Sequence, residues 1–291
     1  SARLEPRELP IGVAGPEAAA GAVEKRLAAQ GGAFEVHRYA DEAAAREAIR
    51  EREVYGAFVA SPSGFKVLTA SAASGAVTQL LTQAAQEGRG AQRATQVVDD
   101  VVPAPHGAAL GSSVLPLMLV GIVTGVLAAL TAQGLARRAG LLLGGSLLAG
   151  LSGALVVQSW LDVVGGDWLA NAGVLALTVL AIGATVTGLY AVLGERGALL
   201  GALTMVLVGN PFSGVGSAPE LLPEPVGGLG QLMPPGAGGN LLRSTGFFDG
   251  AAAGGHVAVL AGWALAGIAL LVLADRQRER ASSTNPAVAG A

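Results

Sequence analysis

The chain has 291 residues, 52% of them hydrophobic and only 13% charged, with a net charge of −3 and no cysteine. That balance, with a mean hydropathy of +0.54, is too apolar for an ordinary water-soluble domain of this length and points to a membrane protein. It excludes disulfides, thiolate chemistry and cysteine-ligated zinc, and the acidic balance argues against nucleic acid as a partner.

Charge is concentrated in residues 1–110, so the chain reads as two parts: an N-terminal small α/β domain (1–110) and a polytopic α-helical membrane region (111–275), followed by a tail (276–291). In the first part, "LPIGVAG" (Leu9 to Gly15) predicts a buried strand, and Pro16-Glu17 opens an Ala-rich helix that Gly31-Gly32 closes. "FEVHRY" (Phe34 to Tyr39) alternates as a strand, Asp41 caps a helix running to about Glu53, and "VYGAFVAS" (Val54 to Ser61) is strand again. After the turn Pro62-Ser63-Gly64 come a strand at Phe65 to Ala70, a helix at about Ser74 to Glu87 and a last strand at Gln96 to Val102. The adjacent Asp99 and Asp100 point to opposite faces of that strand and read as solvated surface.

Five spans are expected at about Val114 to Ala132, Ala139 to Leu161, Leu169 to Leu193, Gly197 to Gly209 and Gly254 to Ala274. The fourth is too short unless it extends through Phe212. "GIVTG" (Gly121 to Gly125), "GLLLG" (Gly140 to Gly144) and "GALLG" (Gly197 to Gly201) have the spacing of close helix contacts, which is compatible with a homodimer. Arginines gather in the connections holding Arg137-Arg138 and Glu195-Arg196 and in the tail "DRQRER", so the positive-inside rule makes these cytoplasmic. Residues 1–110 are then extracytoplasmic and the C-terminus cytoplasmic, in a multi-pass plasma-membrane protein. With five spans, that sidedness requires a sixth, upstream span or a cleaved signal before Ser1.

The strongest local feature is Val208 to Asn240, where Pro211, Pro219, Pro223, Pro225, Pro234 and Pro235 interrupt apolar sequence of low charge. Irregular backbone at membrane depth is tolerated only when buried in protein or lining a watery cavity. Two half-helices dipping in from outside, at about Pro225 to Met233 and Gly236 to Phe247, satisfy that condition. An external loop resting on the membrane is the alternative. Nearby polar residues, Gln158 and Asn171, either line a substrate path or hydrogen-bond neighbouring helices, while Trp160 and Trp168 read as interfacial anchors.

No enzyme signature is present. The only lysines, Lys25 and Lys66, lie outside any phosphate-binding loop, and His37, His106 and His256 lack metal-ligand spacing. The reading is therefore no catalytic residue, no metal and no cofactor bound by this chain.

The order of "VYGAFVASPSGF" (Val54 to Phe65), "GNPFSG" (Gly209 to Gly214) and "LPEPVGGLGQLMPPGA" (Leu222 to Ala237), set between an extracytoplasmic module and a last span, resembles ABC-2 type export permeases, in particular the phage-infection-protein-like branch. The resemblance implies a membrane subunit that dimerises, or pairs with a similar permease, and exports a lipid-like, drug-like or envelope-related substrate using ATP hydrolysed by a separate ABC-type ATPase subunit. It implies an outer gate or substrate path through Gln158, Asn171, Asn210, Pro211, Gln231, Pro234 and Pro235. ATPase contact is implied at Gln133, Arg137, Arg138, Glu195 and Arg196. The connection at Gln133 to Gly140 is short for that role. The rival expectations are a non-transporting, membrane-anchored surface protein whose module binds a ligand or partner, and an ATP-independent carrier, which the scarcity of charge in the spans disfavours.

Overall fold

The computed structural model describes residues 6–61, 64–87, 97–105 and 110–284. A five-stranded sheet forms the N-terminal module from β1 (Leu9–Ala14), β2 (Phe34–Tyr39), β3 (Gly56–Ser61), β4 (Gly64–Thr69) and β5 (Val97–Asp100). Its order is β2-β1-β3-β4-β5, with every neighbouring pair parallel except the β3–β4 hairpin. Helix α1 (Glu17–Ala28) follows β1 and buries Ala20, Val23 and Leu27 on one face of the sheet, together with Val77 and Leu81 of α3 (Gly75–Glu87). Helix α2 (Glu42–Arg50) buries Ala45, Ala48 and Ile49 on the other. These are the opposite faces expected when successive parallel crossovers place strands on either side of β1. The Asp41 carboxylate accepts the Ala44 amide at 2.9 Å, an N-cap worth about 1 kcal/mol.

Helix α2 stops at Arg50 rather than near Glu53 because Arg52 adopts a left-handed backbone with φ of 63°. The carboxylates at 99 and 100 diverge: Asp99 pairs with Arg46 and Lys66, and Asp100 accepts the Ser71 amide at 2.9 Å.

The remainder is helical: α4 (Leu110–Thr131), α5 (Leu135–Ala154, continuing as a π-helical turn over Leu155–Trp160), α6 (Trp168–Leu193), α7 (Glu195–Thr204), α8 (Asn210–Phe212), α9 (Val226–Gln231), α10 (Pro234–Phe247) and α11 (Ala253–Thr284). Among the described residues, three helical stretches, Leu135–Trp160, Trp168–Leu193 and Ala253–Ala281, are long and apolar enough to cross a membrane, and Leu115–Thr131 is a shorter apolar helix. The π turn Met205–Gly209 joins α7 to α8, so the helical path from Glu195 runs on through Phe212, but this fourth expected span is not among the stretches long and apolar enough to cross a membrane. At 1.5 Å per residue it measures about 27 Å. The wide turn precedes Pro211, whose ring would clash with the carbonyl one turn back in a regular α-helix. Helix α11 continues without a break into the arginine-rich tail.

Helix α6 is the hub, with α4, α5, α7, α10 and α11 packed around it. The outer helices present leucines outward: Leu130 is 61% exposed, Leu148 69% and Leu207 63%. An apolar surface of this kind on several helices is what a lipid-facing belt requires and what a water-soluble protein avoids. Gly121 and Gly125 lie flush against Ile182 and Gly183 of α6, and Gly197 and Gly201 against Leu189 and Val186, whereas Gly140 and Gly144 meet nothing within 4 Å. The close-contact spacing is thus used twice within the chain and once not.

Candidate functional site

Two prolines begin the element that organises the site. Pro234 and Pro235 occupy the first turn of α10, where the missing amide hydrogens cost nothing, so the helix starts there and not at Gly236. Nearly all of α10 is buried, from Pro234 to Ser244, between α6, α11 and α4. Together α9 and α10 form a helical hairpin whose turn is Leu232-Met233. Its fit depends on glycine: a Cβ on Gly230 would stand 1.5 Å from the Phe212 carbonyl oxygen, and one on Gly236 would stand 2.1 Å from that of Gly230. Pro235 packs on Gly209 at the end of the fourth helical path.

Two contacts give the depth of the turn. The Trp263 indole donates to the Leu232 carbonyl at 2.7 Å, and Trp263 lies ten residues into α11, or about 15 Å along its axis. Met233 packs with Met118, Ile182 and Met205, and Ile182 is close to the midpoint of α6. The hairpin therefore reaches about halfway along helices whose length suits a hydrocarbon core of about 30 Å.

A polar chain runs through the buried hairpin. Gln231 donates to the Ser213 carbonyl at 2.7 Å, Asn240 donates to Gln231 Oε1 at 2.5 Å, and Arg243 donates to Asn240 Oδ1 at 2.6 Å and to the Val215 carbonyl at 2.5 Å. Arg243 is only 4% exposed and its Nε has no partner. The module joins this chain through Arg52, which donates to the Asn240 carbonyl at 3.2 Å and lies over the Phe248 ring, 5.4 Å from its centroid. A left-handed arginine costs about 1–2 kcal/mol that glycine would not, and the two contacts are what offset it. Tyr55 donates to Glu220 at 2.9 Å, and Arg7 donates to the Leu222 carbonyl at 3.1 Å. Burial holds the Arg52 guanidinium below its ordinary range, and burial with the adjoining Glu220 carboxylate pushes the Tyr55 phenol up, so Tyr55 is a neutral donor at any physiological pH.

The module and the bundle share cores at the same place. Ala218 and Leu221 complete one layer of the sheet's packing and Phe248 the other. Between module and hairpin lies a cleft of about 500 Å³ lined by Arg52, Tyr55, Glu220, Gln231, Asn240 and His256, among others.

The site residues expected from sequence divide into three groups. Gln231, Pro234 and Pro235 belong to the buried hairpin, with Asn210 and Pro211 at its edge, where the Asn210 carbonyl accepts the Ser213 hydroxyl at 2.8 Å. Gln158 and Asn171 form a separate knot: Asn171 donates to Gln158 Oε1 at 2.9 Å and to the Gly165 carbonyl at 2.7 Å, and accepts from Thr245 of α10 at 2.7 Å. Gln158 also donates to the Gly166 carbonyl at 2.8 Å. With these bonds the pair ties α5, α6 and α10 together, the helix-bonding alternative of the two open in the sequence.

The third group lies at the opposite end of the bundle. Gln133, Arg137, Glu195 and Arg196 are exposed there. Arg138 is instead buried, donating to the carbonyls of Ala132 at 3.1 Å and Ala129 at 3.3 Å, with Tyr190 beneath it at 5.5 Å. It closes the C-terminal end of α4, where a cation is favoured. Arg278 of the tail donates to the Ala191 carbonyl at 3.3 Å, placing the tail arginines at this same end.

Sequence reasoning missed Arg52, Tyr55, Glu220, Asn240 and Arg243 as a group. One signal was available: Arg243 is the lone lysine or arginine in the stretch between Glu195-Arg196 and the tail. His106 lies outside the described residues. Comparison of the chain with protein-family models, curated proteins and solved structures finds no match.

Proposed function

We propose that the chain is the permease subunit of an ABC-2 type exporter, a multi-pass plasma-membrane protein that moves a lipid-like, drug-like or envelope-related substrate outward on ATP hydrolysed by a separate subunit. The observation that supports it is the α9–α10 hairpin, buried in the bundle to about the midpoint of α6 and covered at its open end by the module. In this reading the module faces the exterior, and Glu195–Phe212 and Leu110–Thr131 cross the membrane with the three longer helices. The hairpin is then the outer gate. Its motion against α6 opens a path beside Gln231, Pro234 and Pro235, and the network through Asn240 and Arg52 transmits that motion to the module. The exposed Arg137, Glu195 and Arg196 at the other end supply the ATPase contact, pairing with carboxylates and arginines of the partner. Arg138, held inside, shapes that surface without touching it.

The test is co-purification from native membrane with an ABC-type ATPase subunit, followed by ATP turnover in lipid nanodiscs. Arg137→Glu combined with Arg196→Glu reverses two exposed charges and is expected to lower co-purification and turnover about tenfold while leaving the thermal unfolding of the chain unchanged, since surface substitutions cost little. Export that proceeds at full rate with no ATPase present would overturn the reading. The cleft favours a second reading, in which the module and hairpin together bind a ligand on a protein that transports nothing; absence of any associated ATPase, with ligand binding intact, would select it.

A further inference from the structure

Buried charge at the floor of the cleft is out of balance. Arg52 and Arg243 both sit around Asn240, and among the described residues neither has a carboxylate within ion-pair distance. Their bonds go to neutral carbonyl and amide oxygens, and Arg243 Nε has none. Among the described residues, the one carboxylate within electrostatic reach of both is Glu220, already engaged by Tyr55. Desolvated cations are ordinarily paired, because an unpaired buried ion is among the most costly arrangements a protein can hold. Two guanidiniums facing one carboxylate therefore leave room for one more negative group, and Arg52 and Asn240 line the open cleft where such a group would enter.

The outer lining has the opposite sign. Glu8, Glu35, Glu53 and Glu224 line the same cleft and are all exposed, with Arg7 turned to the Leu222 carbonyl and the half-buried His256 set on the α11 side. A simple anion would have to pass this acidic mouth, and a simple cation would meet arginine at the floor. A ligand with an anionic group leading and a cationic group trailing satisfies both.

We propose that this cleft binds a zwitterionic phosphate–amine headgroup, with the phosphate at Arg52 and Asn240 and the ammonium among the exposed carboxylates. The phosphate accepts from the guanidinium, the geometry in which arginine binds oxyanions best. Arg243 acts from behind through Asn240, holding the amide in place and adding positive potential. The site is independent of the export reading, because binding is measured on this chain alone: failure here leaves ATPase coupling standing, and the reverse also holds.

The experiment is calorimetric titration of the full chain in dodecyl maltoside with phosphoethanolamine, glycerol 1-phosphate, ethanolamine and dihexanoyl-phosphatidylethanolamine. Phosphoethanolamine should bind at least about tenfold tighter than either half-ligand, the equivalent of one charged hydrogen bond. Arg52→Gln should weaken phosphoethanolamine and glycerol 1-phosphate about tenfold, with ethanolamine unaffected, and Arg52→Lys should restore most of the loss. Glu53→Gln with Glu224→Gln, both at exposed positions, should erase the preference for phosphoethanolamine over glycerol 1-phosphate. Tighter binding of the short-chain lipid identifies a membrane lipid as the source of the headgroup, and equal binding identifies a soluble one. Glycerol 1-phosphate binding as well as phosphoethanolamine, or a double Glu→Gln variant with an unchanged preference, would overturn the proposal even if Arg52→Gln failed to fold.

Discussion

The module and the helical bundle handle polarity in opposite ways. In the module, charge stays outside: Glu42, Arg46, Lys66 and Asp99 form a cluster whose side chains are between 23% and 36% exposed, over cores of Leu9, Ile11 and Leu68 that water never reaches. In the bundle, Asn171, Ser244 and Asn240 are 0%, 0% and 3% exposed while Leu148 and Leu169 stand about 70% exposed. Each region has the surface that suits a different solvent, water for one and hydrocarbon for the other. The cleft lies where the two regimes meet, with Arg52 on its lining and Arg243 behind it, while Arg138, buried at the opposite end of the bundle, closes a helix terminus instead.

Substitutions sharpen that contrast. The largest effect is expected at Gly230→Ala, because the added Cβ would overlap the Phe212 carbonyl, a backbone atom that cannot swing aside. Separating α8 from α9 should cost about 3 kcal/mol, read as a lower midpoint in reversible unfolding of the purified protein in mixed micelles. Next is Asn171→Val, which strands Gln158, the Gly165 carbonyl and Thr245 together. The expected cost is about 2 kcal/mol, since interhelical bonds in membrane proteins average below 1 kcal/mol each and three are lost. A cost near zero would mean water reaches the knot.

Arg52→Gly has opposing parts. Glycine relieves the left-handed backbone by about 1 kcal/mol, while the charged hydrogen bond to Asn240 and the contact over Phe248 are lost, together about 2 kcal/mol. A net loss of about 1 kcal/mol is expected, seen as faster amide exchange at position 52 and at Asn240. A stabilised protein would show that the bridge between module and hairpin contributes nothing.

The smallest effect belongs to the surface cluster. Hydrogen bonds from Lys66 to Glu42 and from Arg46 to Asp99 hold both carboxyls below their usual range. A depressed folded value means the stabilisation is complete above the ordinary carboxylate range and is lost as pH falls through the lower folded values. The two carboxylates are about a third exposed and the cluster is screened by solvent, so Asp99→Asn should cost less than about 1 kcal/mol at neutral pH and flatten the acid limb of a pH–stability curve.

Much of the module was legible because its signals are local. Alternation placed β2 over Phe34–Tyr39, Asp41 marked the start of α2, and Gly31-Gly32 marked the end of α1. The hairpin was legible for a different reason: prolines and glycines in apolar sequence of low charge leave few solutions other than burial, and both half-helices appeared near their expected bounds. What failed to show was pairing across distance. Arg52 and Asn240 are 188 residues apart, and a left-handed arginine contradicts the local preference that would put glycine there. The spacing of Gly140 and Gly144 matched that of Gly121 and Gly125, yet only the latter pair found a neighbour, because a motif carries no information about which face is turned inward. Gln158 and Asn171 were visible as polar residues near span ends, but their bonds to each other and to Thr245 follow from packing alone.

In the proposed exporter the Leu232-Met233 turn sits deep in the membrane. A chain without cysteine allows a single introduced thiol to report its own position. Leu232→Cys and Asp249→Cys, each spin-labelled and reconstituted in lipid, should differ sharply in collision with oxygen and with a water-soluble nickel chelate. The 232 label is expected about 15 Å below the 249 label, near the bilayer centre and shielded from nickel. A 232 label as accessible to nickel as the one at 249 would show that the hairpin rests at the surface and would contradict the account.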